Sequence, residues 1–157
     1  MNWSRLLKGI VLGYFSWLAF MLVHELGHVM HALISGGRIV SVSIPLLGFS
    51  RTLVDPNPHT HFVVWRGPVW GVLIPLIVYL IFRIAHHKLP DVMRFFTGLC
   101  LIANGVYIGS GWLFRAGDAR QLVAYGTPVP VMVCFGIVCT ILGLFFWHRT
   151  QALSLRH

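Results

Sequence analysis

Acidic residues are almost missing from this 157-residue chain, which has 4 Asp and Glu against 12 Lys and Arg. Charge of either sign is scarce: charged residues make up 10% of the sequence and hydrophobic residues 57%. A soluble domain carries about a quarter charged residues, so this chain could not cover a water-facing surface. Lipid is the expected solvent, in keeping with a mean hydropathy of +0.78. The net charge of +8 reflects missing acids more than plentiful bases. Those bases sit singly at the ends of apolar runs, which argues against a nucleic-acid partner and for membrane anchoring.

Cysteine is scarce too. Cys100, Cys134 and Cys139 all fall inside apolar runs and form no CxxC pair, so neither a disulfide framework nor a cysteine metal site is expected. Internal repeats and low-complexity tracts are absent. Arg5 and Lys8 precede an apolar run, but no small-x-small cleavage pattern follows. That run is expected to be a retained first span and not a signal peptide.

What the chain has in quantity is apolar length. Four stretches, at about 6–34, 62–85, 92–114 and 129–147, each meet the requirement of about 20 residues for a helix that crosses a bilayer. The sequence therefore predicts an all-α integral membrane protein, one domain over 1–157 with four transmembrane helices. Between the first two, Val40 to Ile44 alternates with period two, and a second short run covers 50–54 beyond Gly48. Pro56 and Pro58 follow, so a small β-hairpin near the membrane surface is expected. A short turn through 86–91 joins spans two and three. Gly105 and Gly109, with Gly111 beyond them, mark span three for close helix packing.

The four acids are Glu25, Asp55, Asp91 and Asp118. Two lie in loops, whereas Glu25 is inside the first apolar run and Asp118 follows the third. An ionisable group at membrane depth is costly and calls for a function. Glu25 belongs to His24-Glu25-Leu26-Gly27-His28, the HExxH pattern. On a helix, residues 24 and 28 stand one turn apart on one face, so two imidazoles can grip one metal. Glu25 lies about 100° around the helix, where it can reach a water on that metal and serve as general base, then as acid toward the leaving amine. Two histidines that merely packed would leave the cost of the buried charge unanswered.

His31 shares the stripe, but a straight helix puts it about 10 Å from His24, too far for both to hold one ion. It is expected nearby, facing substrate or ending the helix. Zinc with two histidines wants a third protein ligand and an open position. Spans one and three run in the same direction, so their C-terminal ends share one side of the bilayer. Asp118, in Gly117-Asp118-Ala119-Arg120, lies on that side and is the favoured third ligand. Asp91 belongs to the opposite side, and Asp55, His59 and His61 sit in a Pro-rich loop. The competing role for Asp118 is a cap or turn residue paired with Arg115 or Arg120.

Taken together, His24 to His28 late in span one, Gly36-Gly37 with a strand-like stretch after it, Gly67-Pro68, Gly117-Asp118-Ala119 and Thr127-Pro128 resemble the site-2 protease family of intramembrane zinc metalloproteases, especially its small, domain-free bacterial branch. The resemblance implies one zinc per chain held by His24, His28 and Asp118, Glu25 as the catalytic base, and a membrane-protein substrate cut within or near the bilayer. Two departures stand out. Gly117 precedes Asp118 where the family often has Asp followed by Gly, and Gly71 stands where better-known members have the Asn of GPxxN. Asn104 is the only asparagine within a span; a hydrogen bond to substrate and helix packing are both open to it.

The alternative function is a non-proteolytic four-span metal-binding scaffold or zinc carrier, but a single Glu beside two ligands fits hydrolysis better. A multi-pass protein of the inner cell membrane is expected. Bases are slightly more numerous on the side of the termini, which leans toward cytoplasmic termini. The resemblance implies a cytoplasmic active-site side, and that orientation is expected.

Overall fold

A computed structural model describes residues 3–85 and 91–149. The expected turn at 86–90 and the C-terminal stretch 150–157 lie outside the described residues. The chain forms α1 (Trp3–Ile34), strands β1 (Ile39–Ser43) and β2 (Arg51–Val54), then α2 (Thr60–Ile84), α3 (Asp91–Phe114), a short α4 (Gly117–Ala124) and α5 (Val129–His148). Four of these helices are long and apolar enough to cross a membrane: Leu6–Ile34, Thr60–Ile84, Asp91–Phe114 and Val129–His148.

These helices expose apolar side chains on their outer faces. Leu7, Ile10 and Phe15 of α1 are exposed, as are Ile137, Ile141 and Leu144 of α5. Helices that are apolar all round belong in lipid and not in water. Without a hydrophobic drive between them, such helices gain from close backbone approach at small residues. α3 and α5 meet along a seam of this kind: a Cβ on Gly109 would lie 2.9 Å from the Gly136 Cα, and one on Gly143 would lie 2.8 Å from the Gly98 carbonyl oxygen.

β1 and β2 pair antiparallel, with Val42 opposite Thr52 and Ser43 opposite Arg51. The hairpin folds back along α1. Thr52 contacts Glu25, Ile44 packs beside Phe20 and Met21, the rings of Phe49 and Trp17 are 5.9 Å apart, and the Tyr14 hydroxyl donates to the Leu46 carbonyl across 3.0 Å. From Glu25 back to Tyr14 is about 16 Å of helix, so the tip reaches well into the length of the first span. The reason is the composition of the tip. Leu46, Leu47 and Phe49 are 69%, 85% and 80% exposed, a surface that lipid accommodates and water does not.

The segment after α3 contains α4. Ala119 and Leu122 are buried on one face of it, three residues apart. They pack in a cluster with Val64, Ile108 and Met132, which anchors α4 against α2, α3 and α5.

Candidate metal centre

The C-terminal half of α1 buries a stripe of polar residues: His24, Glu25, His28 and His31. α1 can press this stripe against α2 because the position facing His24 and His28 is a glycine. A Cβ on Gly67 would overlap the His28 Nε2 and come within 2.8 Å of the His24 Nε2. Gly67 thus makes room for both imidazoles.

His24 and His28 point their Nε2 atoms at each other across 3.2 Å. Asp118 closes the group, its Oδ2 lying 2.9 Å from the His24 Nε2 and 3.3 Å from the His28 Nε2. All three ligand atoms lie within 4.8 Å of one another, the one such group among the described residues. Among these residues Asp118 has His24 and His28 as ion-pair partners, and neither Arg115 nor Arg120 takes that role.

The turn that delivers Asp118 is specific. Arg115 and Gly117 adopt φ of 49° and 44°, a left-handed conformation that glycine tolerates best. At Gly117 there is a second constraint: the Tyr107 hydroxyl occupies the place a Cβ would take. That hydroxyl accepts the Asp118 backbone N–H at 2.8 Å. The Gly-before-Asp order is what this turn requires. Burial opposes ionisation of Asp118, but the neighbouring His24 and His28 outweigh it and hold the carboxyl well below the usual carboxylate range.

The outward nitrogens decide what the inward ones can do. The Nδ1–H of His28 donates to the Val63 carbonyl at 2.9 Å. That of His24 donates to the Asn104 Oδ1, also at 2.9 Å. In their neutral form, with Nδ1 as the donor, both rings would present a lone pair at Nε2, the form able to hold a metal. Two imidazole lone pairs and a carboxylate oxygen then converge, a donor set that suits zinc with room for a further ligand.

Asn104 is fully buried, and its Nδ2 donates to the Cys100 carbonyl at 3.0 Å. Its amide is therefore committed to His24 at one end and to its own helix at the other. Gly71 faces it: a Cβ there would lie 2.5 Å from the Nδ2.

Glu25, 3% exposed, stands outside the trio, and its Oε2 accepts the Thr52 hydroxyl at 2.5 Å. His31 is apart as well. Its Nδ1–H donates to the Gly27 carbonyl at 3.2 Å, its Nε2 accepts the Trp70 indole N–H at 3.5 Å, and its ring packs on Phe62. The remaining candidates do not join the group. His61 bonds the Thr127 hydroxyl at 2.7 Å, His59 lines a cavity of about 420 Å³ with Tyr125, the Asp55 carbonyl accepts from Arg38, and Asp91 pairs with Arg94.

Sequence reasoning did not single out Thr52, Tyr107 or the Val63 carbonyl, and it took Gly67 only as part of the Gly67-Pro68 pair. Each contributes through a contact far along the chain, and the only local signal was the period-two register that turns Thr52 inward. Comparison with protein-family models, with curated proteins and with solved structures finds no match for this chain.

Proposed function

We propose that this chain is an intramembrane zinc endopeptidase that hydrolyses peptide bonds of membrane proteins within or near the bilayer. The observation that carries this reading is the convergence of the His24 Nε2, His28 Nε2 and Asp118 Oδ2, with a carboxylate, Glu25, next to the ligands in sequence yet outside their group. His24, His28 and Asp118 would hold one zinc per chain. Zinc supplies Lewis acidity toward a carbonyl and lowers the pKa of a coordinated water toward neutrality. Asn104 and the Val63 carbonyl keep both imidazoles turned inward. Glu25 takes a proton from the attacking water and returns one to the departing amine.

A helical substrate has its amides satisfied internally and must unwind before it can react. β1 is exposed along most of its length, and a free strand edge of this kind can hold an unwound segment by β-addition. The same hairpin contacts Glu25 through Thr52 of β2.

The proposed location is the inner cell membrane, with the metal on the cytoplasmic side. After the native cysteines are replaced, a Ser154→Cys variant should label from outside the cell, and labelling only from the cytoplasm would reverse the orientation. The function itself is tested by metal analysis together with cleavage of a transmembrane peptide in lipid. Bound zinc with turnover that disappears in Glu25→Gln supports the peptidase. Equal turnover in Glu25→Gln and wild type removes it and leaves a metal-binding scaffold or carrier.

A further inference from the structure

Glu25 is a buried carboxylate held by a strand from outside its own helix. β2 alternates so that Arg51 and Leu53 are exposed while Thr52 and Val54 are half-buried. Thr52 Oγ1 donates to Glu25 Oε2 across 2.5 Å, at the short end of the range for a hydroxyl on a charged acceptor. Among the described residues this is the one hydrogen bond the carboxylate makes, and Oε1 is left open. A glutamate side chain has three rotatable bonds, and a base is effective only when the accepting oxygen stays aimed at the proton. Pinning Oε2 fixes the plane of the carboxylate and reserves Oε1 for proton transfer.

From this geometry we infer that Thr52 is a positioning residue for Glu25, through which the hairpin aims the catalytic base. The inference rests on the peptidase reading of the site. Its consequence is a coupling: the hairpin that offers an edge to an unwound substrate also carries the hydroxyl that orients the base. Seating the hairpin and aiming the base are then one event. Strand register is what makes this possible, since a slip of one residue would turn Arg51 or Leu53 toward Glu25 instead.

The test compares wild type, Thr52→Val, Thr52→Ser and Glu25→Gln as full-length chains in the same lipid. Valine keeps the branched shape and loses the hydroxyl; serine does the reverse. Thr52→Val is expected to bind zinc as wild type does and to cleave a transmembrane peptide with kcat lower by about tenfold, the worth of one hydrogen bond to a charged group, at unchanged KM. Thr52→Ser should restore kcat.

A second readout does not depend on turnover. The infrared carboxylate band that Glu25→Gln removes should shift in Thr52→Val and return in Thr52→Ser. Wild-type kcat with an unshifted band in Thr52→Val would overturn the inference, as would a Thr52→Ser variant as slow as Thr52→Val, which would point to methyl packing. If wild type cleaves nothing, the peptidase reading fails, but the infrared shift still decides whether Thr52 orients Glu25.

Discussion

The Asn104 Oδ1 accepts the Nδ1–H of His24 across 2.9 Å, and Gly71 on the neighbouring helix leaves room for the amide that does so. Gly71 and Asn104 are parts of one arrangement. Asparagine is absent at position 71, and an asparagine from α3 fills the space that glycine leaves.

Asn104→Ala is therefore expected to weaken zinc binding by about 10- to 100-fold, the usual effect of removing a hydrogen-bond partner behind a metal-ligating histidine. Gly71→Ala should weaken it in the same direction by displacing the amide. In the double variant Asn104→Ala/Gly71→Ala the second change should add little, because the two residues act through one contact. Competition against a chromophoric chelator measures all of these; full affinity in Gly71→Ala would separate the two residues.

Binding and chemistry should divide between neighbouring positions. His24→Ala, His28→Ala and Asp118→Asn each remove a proposed ligand, so zinc content and cleavage should fall together. Glu25→Gln keeps its shape but cannot accept a proton, so zinc should remain while cleavage drops by orders of magnitude. His31→Ala should keep zinc, since His31 is occupied by Gly27 and Trp70. Metal analysis of the five purified variants checks the pattern, and zinc loss in His31→Ala would break it.

Two glycines should behave as though they were ligands. A methyl group at Gly67 would overlap the His28 ring, and one at Gly117 would meet both a left-handed backbone and the Tyr107 hydroxyl. Gly67→Ala and Gly117→Ala are expected to lose zinc while helix content by circular dichroism stays near that of wild type. Full zinc occupancy in either variant would show that the helices can separate without disturbing the site.

The depth of the hairpin is open to direct measurement. With its apolar tip beside Tyr14 and Trp17, a tryptophan placed at Leu47 should be quenched strongly by lipids brominated along their acyl chains, once the native tryptophan background is subtracted. Quenching only by aqueous agents would return the hairpin to the surface.

Local periodicity carries information on neighbours a few residues apart, and the sequence alone determined what depends on it. Apolar length defined four helices able to span a membrane, and period-two alternation defined the hairpin. The spacing of His24 and His28 put two imidazoles on one helical face. Counting spans placed Asp118 on their side of the bilayer, which is reasoning from topology and needs no distance.

Tertiary packing decided the rest. Thr52 reaches Glu25 from 27 residues away and Asn104 reaches His24 from 80. Nothing in either local pattern encodes such pairings, because they follow from which helix faces meet and at what depth. The depth of the hairpin tip and the glycine gaps at Gly67 and Gly71 belong to the same class. A glycine in sequence says only that a side chain is missing, and the fold decides which neighbour takes up the space.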